Sequence, residues 1–433
     1  MAQISVNSFL GQILVKVALQ DRTSEGIRFS SRRVTLIAAA VLYVVGVWFH
    51  FPHGGGHIYS DIPTVFQLRE CLASCTTIPI PYVNVFIEYP ILVSMFIYMM
   101  GIIGLALPIS ILNGYYLASV AILAVPSLLL VDETMKISRL VGADQRRVMQ
   151  YLVVTPTFVF LLLVNWYSIG VYFMLLGLRM FLQGRKGFSG IFFGLSAASN
   201  MITAAPAIGL LFGIRTAKEA VQFAGSAFVT FLALNAPFVI INPQLWISYW
   251  LYQSNWYIEG SWMRFFLPLW SPLRHPVFIL SAATLLGVIF ILSYRRPSNP
   301  LTLAWLSTFA VLFSSYVFTP QMNLMILPFL ALAPIVSGYW EFLAFDLLSA
   351  AIIVVGNSQP LQIVGITYNM GNALSASSLI VWMETFRSVW LGKFLLWNGI
   401  RRMISRDMVT PNSGLGRNLS LPKWRRFVRR KQS

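Results

Sequence analysis

Apolar stretches of helix length recur from residue 34 to residue 394, each closed by a short polar, basic or Gly/Pro-containing turn. Runs of about 17–25 apolar residues are long enough to cross hydrocarbon as helices, and a bilayer admits few other structures. The pattern predicts an all-α, polytopic integral-membrane bundle of about twelve transmembrane helices. Val34–Phe51 is the first span. Residues 91–108 carry no basic anchor and are read as an interfacial or re-entrant helix, with 114–133 as the next full crossing. Further spans are expected at 149–164, 168–183, 188–202, 204–214, 221–241, 276–293, 301–317, 322–337, 340–356 and 377–394. No internal repeat is visible, which counts against a secondary transporter built from two mirrored halves.

Charge fixes the orientation. The net charge is +17 and only 10% of residues are charged, so the excess could suggest nucleic acid, but its placement argues otherwise. Ten Lys and Arg residues follow position 400, and others sit before the first span or in short loops such as 136–147, Arg185-Lys186 and Arg295-Arg296. This is the positive-inside pattern, in which basic residues record topology and meet anionic lipid. Both termini are therefore placed in the cytoplasm, and no nucleic-acid partner is expected. Residues 1–33 read as a cytoplasmic segment. There Ile4, Val6, Phe9, Leu10, Ile13, Leu14 and Val17 have the spacing of an amphipathic interfacial helix, with a frayed tail as the alternative. They are too polar for a secretory leader. Residues 34–394 form the membrane domain and 395–433 a basic cytoplasmic tail.

The connections on the cytoplasmic side are short, whereas 52–113 and 242–275 make two large outer loops. Function is therefore expected on the extracytoplasmic face. Acids there are few: Asp61, Glu70, Glu88 and Glu259. An ionisable group held at the bilayer face is a functional candidate. Arg69, Arg264 and Arg274 are the outer bases, and His53, His57 and His275 can titrate. Glu70 beside Arg69 reads as a local ion pair, and Asp132 and Glu133 as the solvated cytoplasmic end of a span. Span centres are nearly empty of charge, with Glu341 and Asp346 the exceptions. Trp246, Trp250, Trp256, Trp262 and Trp270 crowd the second outer loop. They read either as an interfacial belt or as surfaces that stack on sugars or isoprenoid chains. Cys71 and Cys75, four apart, read as a disulfide or as two packed thiols, and no zinc site is expected.

Several short motifs fall in a fixed order. Tyr59-Ser60-Asp61, then Pro81-Tyr82, then Glu88-Tyr89-Pro90 resemble the first outer loop of GT-C glycosyltransferases, above all the polyprenyl-phosphate-sugar-dependent mannosyltransferases of bacterial and archaeal envelopes. Asn165-Trp166 with Gly184-Arg185-Lys186 and Gly194-Leu195-Ser196 is similar to that family's "NWD … RG … GLG" run. Trp256 to Trp262 resembles its "IES-W" loop, and Phe318-Thr319-Pro320-Gln321 with Leu327-Pro328 its "F-SPQY … LLP". The chain departs from the pattern at Ile91 (a proline in the family), at Tyr167 (an acid) and around Asn200-Met201 (a lysine).

The resemblance implies transfer of a sugar, mannose by analogy, from a polyprenyl or dolichyl phosphate to a glycolipid or lipid-linked glycan outside the cytoplasm. The membrane is a prokaryotic plasma membrane or an endoplasmic reticulum, and the short loops without an obvious retention signal favour the former. It implies Asp61 as the general base, in a single inverting displacement. No cofactor is expected, nor a metal, since the outer loops hold no acidic pair with metal-like spacing. A base must lie within hydrogen-bond reach of the attacking hydroxyl. A phosphate leaving group needs cations or donors rather than a proton. Arg264 and Arg274 are the candidates to replace the missing lysine. Tyr59, Arg69, Tyr82, Glu88, Tyr89, Trp256, Glu259, Trp262, Arg264, Arg274, His275 and Gln321 are the expected substrate contacts. The competing reading of Asp61 is a helix cap, because Ser60-Asp61-Ile62-Pro63 is a good helix start. A flippase for lipid-linked glycans and a noncatalytic assembly subunit are the alternative functions.

Overall fold

The computed structural model describes residues 27–52, 58–70, 76–296, 298–356 and 379–405. Among them, helices of eight residues or more are α1 Ile27–Phe49, α2 Ile91–Ala106, α3 Ile111–Val141, α4 Tyr167–Leu182, α5 Lys186–Ser199, α6 Pro206–Gly213, α7 Ala217–Ile241, α8 Pro243–Ser254, α9 Arg274–Arg295, α10 Pro300–Ser314, α11 Asn323–Leu332, α12 Tyr339–Gly356 and α13 Leu379–Lys393. Shorter helical turns join them, and β-pairing among the described residues is limited to isolated bridges. The expected amphipathic N-terminal helix, His53, His57, Cys71, Cys75 and the tail beyond residue 405 lie outside the described residues.

Among the described residues four helices, α1, α3, α7 and α9, are long and apolar enough to cross a membrane. Their surroundings separate two roles. In α7 the most apolar window has a mean hydropathy of 1.9 yet only 6% of it is buried. Val221, Phe228, Val229, Ile240 and Ile241 stand exposed on it. A helix apolar all round and unburied by protein is suited to lipid. In α3, by contrast, half of the window is packed inside the bundle.

The remaining apolar segments are shorter and more broken than the hydropathy pattern predicts. Residues 149–164 are expected as one span but form a π turn, Met149–Val153, and a short helix, Pro156–Phe160. Pro156 disfavours helix at the residue before it. Thr155 turns extended and accepts the Phe158 amide as the cap of the next helix. Likewise α11 stops at Leu332, before Ala333-Pro334, short of the expected residue 337. At the other end, the last helix outruns its expected limit of 394. It continues from α13 through a π turn, Phe394–Ile400, to Ser405, with Phe394, Leu395, Ile400 and Met403 buried. The bundle therefore includes the beginning of what reads in sequence as a tail.

Close helix approach relies on missing side chains. A Cβ on Gly190 would fall 2.1 Å from the Phe223 carbonyl oxygen, and one on Gly194 2.5 Å from that of Ala227. This small-x-x-x-small stripe lets α5 lie directly on α7, a contact typical of membrane bundles.

Asp132 and Glu133 are not a solvated terminus. Both are buried in α3 and shared among three cations. Arg32 meets Asp132 at 2.6 Å, Lys136 meets Asp132 at 2.9 Å and Glu133 at 2.6 Å, and Arg179 also pairs with Glu133. The cluster ties α1, α3 and α4 together at one end of the bundle.

Candidate active site in the first outer segment

Ser60 begins the short helix Asp61–Val65. Its hydroxyl accepts the Ile62 amide at 3.2 Å and donates to the Leu163 carbonyl at 2.7 Å. The Asp61 amide donates to Val164 O at 2.6 Å. The backbone at Asp61 is thus strapped to the segment leading into Asn165-Trp166. The cap is Ser60, so the Asp61 carboxylate is left for other work. That carboxylate accepts the Tyr89 hydroxyl at 2.6 Å and further hydrogen bonds from Tyr59 and Asn165. It stays half-buried, and among the described residues no cation pairs with it. Burial raises its pKa above the ordinary carboxylate value; the Tyr89, Tyr59 and Asn165 donors pull it back, while Glu88 adds a smaller upward push.

Tyr89 is held on every side. Its ring meets Trp166 edge-on with centroids 4.6 Å apart. Its carbonyl accepts the Tyr82 hydroxyl and, at 2.7 Å, that of Ser94. Tyr82 itself is buried, with φ of +61° in the turn closed by its amide on Val85 O. A left-handed aromatic residue is strained and needs its surroundings to enforce it. Tyr82 is therefore a support for Tyr89 and not an open substrate contact.

Glu88 takes Arg69 as its partner, at 2.9 Å. The expected local pair of Arg69 with Glu70 involves a side chain that lies outside the described residues. The Glu88 carbonyl accepts Gln253 Nε2 at 2.8 Å, joining α8 to the first outer segment.

The second outer loop brings Glu259 to the same place. Its carboxylate accepts Trp256 Nε1 at 2.7 Å. Its amide donates to Tyr316 O at 2.9 Å and its carbonyl accepts the Phe318 amide at 2.7 Å. Burial pushes Glu259 up to about 6, with Asp61 adding to the rise and Trp256 and Arg387 opposing it. The Asp61 charge therefore bears on Glu259. Gly260 follows with φ of +67°, and a Cβ there would lie 2.0 Å from Phe318 O. Only glycine lets the loop meet the 316–318 segment so closely.

Other expected contacts are committed to structure. Arg274 is buried and donates to the carbonyls of Ser271 at 2.9 Å, Ser254 at 3.2 Å and Trp270 at 3.4 Å. Arg264, also buried, donates to Leu267 O at 3.1 Å. These carbonyl bonds hold the loop. Trp262 donates to Phe313 O at 2.7 Å and stacks on that ring. His275 packs edge-on against Tyr316. Gln321 is buried, its Oε1 without a hydrogen-bond partner.

Three residues near the site escape sequence reasoning. Asn165 belongs to a motif noticed for its missing acid, yet its side chain reaches Asp61. Glu384 and Arg387 lie in α13, buried, and add to the charged exceptions within the apolar segments. Their spacing of three places them on one helix face, the signal that could have found them.

No family model matches this chain, and no curated protein matches it. Among solved structures, it is similar to the crystal structure of ArnT from Cupriavidus metallidurans bound to undecaprenyl phosphate, at 14% sequence identity and a TM-score of 0.42, over 86% of this chain and 77% of that one.

Proposed function

We propose that this chain is a GT-C-type membrane glycosyltransferase that passes a sugar from a polyprenyl-phosphate donor to a glycolipid or lipid-linked glycan on the extracytoplasmic face. The carrying observation is the Asp61 carboxylate. It is half-buried, unpaired with any cation among the described residues, and aimed by three hydroxyl and amide donors while Ser60 does the capping. That arrangement suits a general base, which needs fixed geometry and a pKa nearer neutrality than an exposed acid has. In the proposed reaction Asp61 takes the proton of the acceptor hydroxyl as its oxygen bonds the anomeric carbon. The donor phosphate leaves with the electron pair of the broken C–O bond, so configuration inverts in one step. Because phosphate departs without protonation, the paired acids of glycoside hydrolysis are not required. Glu259, on which the Asp61 charge bears, is assigned to a sugar hydroxyl in this reading. Mannose as the sugar, and a dolichyl form of the donor, rest on the motif resemblance alone.

The flippase reading draws on Asp346, Glu384 and Arg387, which lie within apolar helices. Asp346 supports it poorly, because its carboxylate accepts both the amide and the hydroxyl of Thr157 and so serves packing. The deciding measurement is transfer from radiolabelled polyprenyl-phosphate mannose in membranes containing the protein or its Asp61→Asn variant. Transfer by the parent and its loss in the variant supports the proposal. Transfer by neither, across several sugar donors, rejects it.

A further inference from the structure

The Glu259 loop is gripped from behind by one face of α13. Glu384, Arg387 and Ser388 stand at i, i+3 and i+4, so they share that face. Glu384 accepts the Gly260 amide. Arg387 Nη2 donates to the Gly260 carbonyl at 3.3 Å and to the Phe318 carbonyl, while Ser388 Oγ donates to the same Gly260 carbonyl at 3.0 Å. The Arg387 guanidinium lies 4.0 Å over the Phe318 ring. The side chain is fully buried, and its Nε and Nη1 have no hydrogen-bond partner.

A buried guanidinium is costly unless nearby charge compensates it, and replacement by an apolar residue often serves stability as well. Here the compensating charges are Glu384 on its own helix and Glu259 on the loop. One of those two partners is a candidate for the reaction site. We propose that Arg387 is a positioning residue: it fastens the Gly260 and Phe318 peptides together and sets its positive charge behind Glu259, fixing that carboxylate beside Asp61. Calling the loop part of a reaction site rests on the proposed function. The clamp itself rests on the contacts.

The charged and titratable groups that bear on Glu259 are Asp61 and Tyr59 from the first outer segment, Tyr167 of α4, Tyr257 of its own loop, and Arg387 with Glu384 of α13. Arg387 is the cation among them, and it favours the ionised carboxylate. Its removal leaves Glu259 the Trp256 indole donor but takes away the cation that bears on it among the described residues.

The test is labelling by dicyclohexylcarbodiimide, which reacts with protonated carboxyls, in native membranes across a pH series, with Glu259 located by peptide mass spectrometry. In the parent, labelling is expected to fall through pH about 6. In Arg387→Met the midpoint is expected to rise by about one unit, increasing the labelled fraction at pH 7 roughly fivefold. Arg387→Lys should restore it. An unmoved midpoint in Arg387→Met that purifies like the parent overturns the proposal. If the Met variant does not fold, or Glu259 does not label, amide exchange in Arg387→Lys and Ser388→Ala decides. Faster exchange of peptides covering 259–261 and 316–319 supports the clamp, and unchanged exchange overturns it. Neither readout requires sugar transfer, so a parent without transferase activity would reject the proposed function while leaving the clamp to stand or fall separately.

Discussion

At the scale of single residues, the site separates groups that act from groups that hold them. Asp61→Asn keeps the shape and the Ser60 cap but removes the base, so transfer is expected to fall by about 10²–10⁴-fold. Retention of the parent's thermal midpoint would show that the loss is chemical. Tyr89→Phe tests the environment of the same carboxylate. The Tyr89 hydroxyl favours the ionised form, so its loss should raise the Asp61 pKa further. A base works only when deprotonated; activity is therefore lost as pH falls through that pKa, and the acid limb of the rate profile should move to higher pH in Tyr89→Phe. An unmoved limb would remove Asp61 as the titrating base. Asp61 was legible in sequence because acids are scarce in an apolar chain and this one stands in a motif, Tyr59-Ser60-Asp61, just after the first span. The roles of Tyr82 and Arg274 were not, because an exposed tyrosine or arginine and one consumed by backbone carbonyls read identically until the turn around them is known.

At the scale of elements, breaks in the helices matter as much as their lengths. Hydropathy alone located nearly every apolar segment, since apolar runs and helices coincide when lipid or a packed bundle surrounds them. It could not divide residues 149–164 or end α11 correctly, because those limits come from Pro156 and Pro334 acting on the preceding residue. The short α11 leaves carbonyls at its C-terminus without intrahelical donors, and Arg147 donates to them. Its guanidinium donates to Leu330 O at 2.8 Å, Ala333 O at 3.0 Å and Ala331 O at 3.2 Å. A cation at a helix C-terminus meets both the free carbonyls and the dipole. Arg147→Met is therefore expected to cost about 1–3 kcal/mol of stability. Thermal unfolding in detergent checks this, and an unchanged midpoint would show the cap to be dispensable. In sequence, Arg147 counts only as one more inside charge. The same blindness hid the α13 clamp, where Glu384 and Arg387 look like two stray charges in an apolar helix until Gly260 is brought against them.

At the scale of the whole molecule, α3 relates the candidate site to the buried ion cluster. Phe66, just beyond the Asp61 helix, stacks on Tyr115 near the start of α3, with ring centroids 3.8 Å apart. Asp132, in the cluster, lies seventeen residues further along the same helix. At about 1.5 Å per residue the two levels stand roughly 26 Å apart, close to the hydrocarbon thickness of about 30 Å. That spacing fits the proposal that the acid-rich end and the cation-rich end face opposite sides of a bilayer, with the cation-rich end in the cytoplasm as the positive-inside pattern predicts. Cysteine accessibility tests that assignment in a variant lacking Cys71 and Cys75. A cysteine at Leu68, 63% exposed beside the candidate site, should react with an impermeant maleimide on intact cells; one at Leu140, 50% exposed beyond the cluster, should react only after permeabilisation. Equal labelling of both on intact cells, or the reverse order, would place the Asp61 carboxylate on the cytoplasmic side. It would also remove the extracytoplasmic transfer on which the proposed function depends.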